Sequence, residues 1–326
     1  MTGPLLQVVD LKKHYPIRGG LFGREVATVH AVDGITFHVD SGETLGLVGE
    51  SGCGKSTAGK AILKLVDPTS GTVRLMGKRI DGLSRSAMWP HRRDLQVVFQ
   101  DPYSSLSPRL SAGEIVAEPL KNFGIATGAE ARERVAWLFG KVGLRPEQMA
   151  KYPHEFSGGQ RQRLGIARAL AVRPKLIVAD EPVSALDVSV QAQVINLLTD
   201  LQAEFGVSFL FVAHDLAVVE HISHRVAVMY LGKIVEIADR RTIFARPQHP
   251  YTEALLSAAP QPNPRLKKKR IILAGDVPSP INPPSGCRFH TRCPYAVARC
   301  KTEEPQIREL APGHQVACHL RLPSAG

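Results

Sequence analysis

Residues 49–57 read Gly-Glu-Ser-Gly-Cys-Gly-Lys-Ser-Thr, a spacing that can cradle a nucleotide phosphate. Glycines 49, 52 and 54 let the backbone approach an anion and turn N–H groups toward it. Lys55 is placed to reach the β- and γ-phosphates, and the Ser56 hydroxyl to ligate Mg²⁺. An acidic pair, Asp180-Glu181, follows four apolar residues, Leu176 to Ala179. Asp180 is placed to hold Mg²⁺ directly or through water. Glu181 beside it is the natural general base for an attacking water. Between these two sites lies Ser157-Gly158-Gly159-Gln160. A Ser hydroxyl and two glycines at a helix start form a second anion site. Alone, it would be a plain N-capped helix. With the others it marks ATPases that close as a pair around ATP, because two phosphate-binding ends on one chain need not face the same nucleotide.

These residues need particular elements to hold them. Thr44 to Val48 reads as a buried strand and Lys55 to Val66 as a helix, with Ala58, Ile62, Leu65 and Val66 on one face. That is the strand–loop–helix context a phosphate loop requires. Leu176 to Ala179 reads as a strand buried on both faces of a parallel sheet. Gln160 to Leu170 reads as a helix, as does the segment after Asp187, for which Gly206 is a ready cap. Ser208 to Ala213 reads as a strand ending at His214. Val226 to Tyr230 and Ile234 to Ile237 read as a hairpin.

The chain resembles the ATP-binding subunits of ABC transporters. The resemblance implies an α/β P-loop ATPase core with an antiparallel β subdomain and a helical subdomain. It implies that residues 49–57 (Gly49, Glu50, Ser51, Gly52, Cys53, Gly54, Lys55, Ser56 and Thr57) bind ATP. Ser157, Gly158, Gly159 and Gln160 then bind the γ-phosphate held by a partner chain. Gln100, in Val97-Val98-Phe99-Gln100-Asp101, matches the residue that senses Mg²⁺ and water and meets the membrane subunits. Ser184-Ala185-Leu186-Asp187 matches the segment crossing the dimer interface. His214 matches the histidine contacting the γ-phosphate, and Tyr15 the aromatic that stacks on adenine.

The likeness covers nearly the whole chain and narrows to the dipeptide/oligopeptide importers. It is carried by Tyr152 to Arg163, Ala179 to Ser189, His249-Pro250-Tyr251-Thr252 and Val277 to Cys287. The insertion Arg18 to Thr28 resembles the second of that family's two ATPase subunits. Implied partners are a homologous ATPase subunit forming a heterodimer, two transmembrane permease subunits and an extracytoplasmic peptide-binding protein. An importer of nickel or another small solute is the alternative, since cargo is chosen by other subunits. Phe156 stands where the family more often has Leu; no catalytic position is degenerate.

Composition bounds the rest. The chain has 326 residues and a net charge of +11. No run of 18 uncharged apolar residues and no signal-peptide pattern occurs. The expected location is the cytoplasmic face of the cell membrane, as a peripheral subunit. The basic residues are scattered, apart from Lys267 to Arg270, and no aromatic interleaving accompanies them. A solvated surface near anionic lipid is therefore the better reading than nucleic-acid binding. The expected division is an ATPase domain over 1–245, with a helical part at about 102–152, and a small metal-binding domain over 246–326.

That C-terminal part carries Cys287, Cys293, Cys300 and Cys318, spaced C-x5-C-x6-C-x17-C with Pro294 directly after Cys293. Four clustered cysteines in a cytosolic chain argue for metal over disulfides. The close pair typical of zinc is missing, and loose spacing suits an iron–sulfur cluster better. The resemblance implies [4Fe-4S]; Zn²⁺ and free thiols are the alternatives. His290 and His319 are spare ligands, and Cys53 reads as an inert spacer.

Overall fold

The structure is a computed structural model and describes residues 3–19, 23–258 and 271–321. Its strands in chain order are β1 (Leu6–Gly19), β2 (Arg24–Val39), β3 (Thr44–Val48), β4 (Ser70–Leu75), β5 (Lys78–Arg79), β6 (Leu95–Val98), β7 (Leu176–Asp180), β8 (Ser208–Ala213), β9 (Arg225–Tyr230), β10 (Lys233–Asp239), β11 (Arg308–Ala311) and β12 (His314–Val316). Two sheets result. One is antiparallel, in the order β2-β1-β4-β5. The other runs β11-β12-β10-β9-β3-β8-β7-β6, and its five strands from β9 to β6 are parallel.

The parallel strands have the composition their position demands. Every residue of β3, β7 and β8 is buried, as strands covered on both faces must be. Parallel strands all present their C-terminal ends at one edge. The register sets Asp180 beside Val212 and Val48 beside Ala213. Gly49, Glu181 and His214 therefore leave the same edge of the sheet, where ligands of open α/β sheets bind.

Helices Ala112–Asn122 and Gly128–Lys141 fill the stretch between the phosphate loop and Ser157. The first starts with a reciprocal cap between Ser111 and Glu114. Together they bury Ile115, Val116, Leu120, Val135, Leu138 and Phe139 and pack against helix Gly158–Leu170. Two sequence expectations need correcting here. The helix after the phosphate loop ends at Ile62 rather than Val66. Lys64 takes a left-handed conformation (φ 55°), and Leu65 is exposed, because the chain must turn before Pro68 to reach β4. The helix after Ser157 begins at Gly158, so both glycines form its first turn rather than a lead-in.

The insertion at 18–28 lengthens the β1–β2 hairpin, pairing Arg18 with Glu25 and Gly19 with Arg24. Its tip and residues 259–270, including Lys267 to Arg270, lie outside the described residues. From Ile271 to Ser279 the proline-rich stretch has neither helix nor strand.

The described residues beyond 245 add to the ATPase core, with Tyr251 and Phe289 in its main cluster. β12 pairs with β10, so the last hairpin extends the ATPase sheet. Phe289 is 1% exposed and joins Tyr230 and Tyr251 in the main hydrophobic core. Below them Glu236, fully buried, accepts from His314 Nε2 at 2.7 Å and from the N–H groups of Gln248 and His249 at 2.8 and 2.9 Å. His249 accepts the Tyr251 N–H on Nδ1 at 3.1 Å, and burial lowers its pKa to about 4. The unfolded chain therefore takes up this proton first. The contribution is complete above pH ~6.5 and lost as pH falls toward 4, by about 2–3 kcal/mol across that window. Thermal melts of wild type and His249→Asn between pH 7 and 4.5 check this: the variant keeps the acceptor and should show a shallower loss.

Candidate active site

The phosphate loop is shaped by what surrounds it. Gly54 caps helix Lys55–Ile62 with φ 105°, and a Cβ there would stand 1.9 Å from the Ala31 carbonyl oxygen. A Cβ on Gly49 would stand 2.1 Å from the Met229 carbonyl oxygen. β2 and β9 thus press directly on the loop, and only glycine fits. Lys55 is 4% exposed and donates to the carbonyls of Gly49 at 2.8 Å and Glu50 at 3.0 Å. Cys53 is buried beneath, its thiol pushed up by burial, as suits a spacer.

Ser56 donates to Asp180 Oδ1 at 2.7 Å. These are the two residues expected to share Mg²⁺, brought together across the strand between β3 and β7. Burial lifts the Asp180 carboxyl above its ordinary range, against the pull of Ser56, Lys60 and Lys55. A buried carboxylate in that position favours a cation beside it.

Glu181 follows with a left-handed backbone (φ 47°) and its N–H bonded to Val212 O at 2.9 Å. That turn swings the side chain off the sheet edge. Its Oε2 accepts from Gln100 Nε2 at 3.3 Å and lies 3.0 Å from His214 Nδ1. Three residues separated by 81 and 33 positions meet on one oxygen. Ser184 Oγ donates to the Glu181 carbonyl at 3.1 Å, tying the next loop to the same turn.

Ser157 and Gln160 cap their helix reciprocally, with Gln160 N donating to Ser157 Oγ at 3.3 Å and Ser157 N to Gln160 Oε1 at 3.0 Å. Ser157 and Gly158 are exposed. Their helix packs on the helices of 102–141, whereas helix Lys55–Ile62 packs on β1, β2, β7 and β8. Asp187 caps helix Val188–Phe205 by position and is exposed beside Val188, itself 82% exposed. Tyr15 stands in β1 opposite Val29, 37% exposed, with Lys13 over its ring.

Comparison with known proteins places this geometry. The ABC transporter family profile matches residues 32–184, and that of the oligopeptide/dipeptide transporter C-terminal region matches residues 235–300. A probable peptide ABC transporter ATP-binding protein of Sinorhizobium fredii is 57% identical over 325 residues, covering 100% of this chain and 92% of its own. The chain belongs to the oligopeptide/dipeptide ABC transporter ATPases. The oligopeptide transport ATP-binding protein AppF of Bacillus subtilis is 54% identical to this ATPase, with 97% of each chain covered. Among solved structures, cbiO1 of Clostridium perfringens, part of the ABC transporter complex cbiONQ, matches with a TM-score of 0.64 and 28% identity over 74% of this chain and 91% of its own. A dimeric ATP-binding cassette in a post-hydrolysis state, bound to ADP and phosphate, matches with a TM-score of 0.64 and 30% identity over 72% of this chain and 99% of its own. No helix among the described residues of the ATPase is long and apolar enough to cross a membrane.

Two further groupings come from tertiary structure. Each of the four C-terminal cysteines lies near enough to the other three to feel their charge. Burial, then those neighbours, pushes the Cys287 thiol up to about 11. His290 and His319 turn instead to backbone carbonyls, at 2.9 Å each. The second grouping, His14, His30 and Asp33, brings its ligand atoms within 4.8 Å of one another. Asp33 is already held below its usual range, despite burial, by His14, Arg288 and Lys233. With two cations on its only carboxylate, this group is a polar bridge rather than a cation site.

Proposed function

We propose that this chain hydrolyses ATP at a site it shares with a second ATPase chain, and that the closure powers peptide import through membrane subunits. The observation that carries the reading is the meeting of Gln100, Glu181 and His214 beside the Ser56–Asp180 pair. Backbone N–H groups of residues 49–57 hold the phosphates, and Lys55 swings from its loop carbonyls to the β- and γ-oxygens. Ser56 and Asp180 hold Mg²⁺, which neutralises charge on the phosphates. Gln100 and His214 orient Glu181. Glu181 takes a proton from the water whose oxygen attacks the γ-phosphorus, while the bond to the bridging oxygen breaks and ADP leaves. Tyr15 offers a partly exposed ring for the adenine. Asp187 stands at the dimer contact. Ser157, Gly158, Gly159 and Gln160 serve the partner chain's ATP, a role that the exposure of Ser157 and Gly158 at the helix start supports. The division into 1–245 with a helical part near 102–152, and 246–326, describes these working parts.

The test is a complex of this chain with its ATPase partner and two permeases. Pairing a Lys55→Ala chain with a wild-type partner should silence one of two sites. Full hydrolysis by the isolated monomer would end the shared-site reading. Uptake of a labelled dipeptide or oligopeptide into vesicles carrying the complex and its peptide-binding protein tests the cargo; uptake of chelated nickel alone would favour the other importer class. Recovery of the chain from the cytoplasmic face of the membrane only when the permeases are present tests the location.

The four cysteines fit a [4Fe-4S] cluster. The loose C-x5-C-x6-C-x17-C spacing, without the close pair typical of zinc, supports a cluster with several metal atoms. Anaerobically purified protein should be brown with about four irons per chain, one for each thiolate ligand. Zinc without iron in that preparation would decide for the single ion.

A further inference from the structure

The phosphate loop is gripped from outside the ATPase motifs. Glu50, the second residue of the loop, receives a two-pronged contact from Arg292: Nη1 to Oε2 at 2.8 Å and Nη2 to Oε1 at 3.3 Å. The Glu50 N–H donates to Tyr251 Oη at 2.9 Å. The Glu50 carbonyl meanwhile accepts from Lys55 at 3.0 Å. Backbone and side chain of Glu50 are thus held on every side, by groups from residues 251 and 292 as well as by the catalytic lysine. Arg292 is 9% exposed and Tyr251 fully buried. A second arginine holds the turn between β9 and β10, which touches the loop. Arg288 donates to Leu231 O at 2.5 Å and to Asp33, and the next N–H, of Gly232, bonds to Cys53 O at 2.9 Å.

Both arginines belong to the cysteine segment. Arg288 follows Cys287 and Arg292 precedes Cys293. Phe289, two residues after Cys287 and bonded through its carbonyl to the Arg292 N–H at 3.0 Å, packs its ring 5.4 Å from that of Tyr251. Whatever holds the thiols together therefore also sets where both guanidinium groups and the Tyr251 ring stand.

We infer that Arg292 and Tyr251 are positioning residues for ATP binding, and that they make nucleotide affinity depend on the integrity of the four-cysteine segment. The physical reason is preorganisation. Without its outer grip, Glu50 is free to rotate, and the loop must be ordered each time a phosphate binds, which weakens binding. A bidentate guanidinium–carboxylate contact fixes both position and orientation, which a lysine ammonium does not. This rests on the reading that residues 49–57 bind ATP, and Lys55→Ala tests that separately. If Lys55→Ala bound MgATP normally, the ATP-site reading would fail; the present inference is judged on variants that leave the lysine in place.

The experiment measures MgATP affinity and steady-state hydrolysis with full-length protein: affinity on the chain alone, hydrolysis in the assembled complex. Arg292→Ala should weaken MgATP binding by roughly tenfold, the size of one charge-assisted hydrogen bond. KM should rise while kcat changes little. Arg292→Lys should recover part of the affinity. Tyr251→Phe, which strands the Glu50 N–H, should weaken binding in the same direction. In the Glu50→Gln background, Arg292→Ala should cause little further loss, because the pair acts as one unit. Cys300→Ser, or removal of the thiol-bound metal, should reproduce the Arg292→Ala affinity. By reciprocity, MgATP should slow alkylation of the cysteines in wild type and not in Arg292→Ala. Should Arg292→Ala fail to fold, Arg292→Lys and Glu50→Gln carry the test. Lowered melting temperatures with unchanged MgATP affinity and unchanged KM would overturn the inference and leave these contacts as packing alone.

Discussion

Glu181→Gln should lower ATP turnover in the assembled complex by ~10²–10⁴-fold while leaving MgATP binding intact. The change keeps the shape of the side chain and removes its ability to accept a proton. The contacts to Gln100 and His214 on Oε2 involve an oxygen that glutamine retains, so the surroundings should stay in place. The loss should accordingly fall on kcat. On the proposed shared site, the variant should accumulate as an ATP-bound pair, visible by size-exclusion chromatography with MgATP. Turnover near that of wild type would remove Glu181 from the role of base and direct attention to His214.

Gly54→Ala should abolish MgATP binding and lower thermal stability, whereas Gly52→Ala should do neither to a comparable degree. Both glycines have positive φ, 105° and 78°. A left-handed alanine costs of order 1–3 kcal/mol at either place. The difference lies in space. A Cβ on Gly52 meets nothing within 4 Å, while one on Gly54 would meet the Ala31 carbonyl oxygen at 1.9 Å. Relief requires moving β2 or the first turn of helix Lys55–Ile62, which adds about 1–3 kcal/mol or more of overpacking. The turn that moves is the one presenting Lys55 and Ser56. Differential scanning calorimetry and MgATP titration on both variants check the contrast. Equal behaviour of the two would show that the backbone conformation, and not contact with β2, governs the loop.

Much of the site was legible because its chemistry depends on neighbours in sequence. A phosphate loop works through consecutive N–H groups, so its residues must be contiguous, and Gly49 to Thr57 is recognisable as a unit. Asp180-Glu181 stands out because a run of buried apolar residues must end where charge begins. Two helix boundaries erred: at Lys64 a turn ended the helix early, and at Gly158 the Ser157 cap started the helix two residues sooner. The contacts of Arg288, Arg292, Tyr251, Asp33 and Glu236 were not legible, although Tyr251 lies in a stretch that carries the family resemblance. Each is an ordinary polar residue whose partner lies between 12 and 255 positions away, and no spacing announces such a pair.

By itself, then, the sequence determined the ATPase chemistry, the family and the presence of four cysteines suited to metal. Those follow from local spacing and from patterns of burial that period and composition express. Only the tertiary structure decided that Gln100 and His214 converge on one oxygen of Glu181. Only it decided that the cysteine segment is joined to the ATPase sheet, with Arg292 on the phosphate loop and Arg288 on the turn that hydrogen-bonds that loop. The physical reason is the parallel sheet: it collects residues from distant strand ends at one edge, and the chain after β10 returns to cover that edge, neither of which leaves a mark in the order of residues.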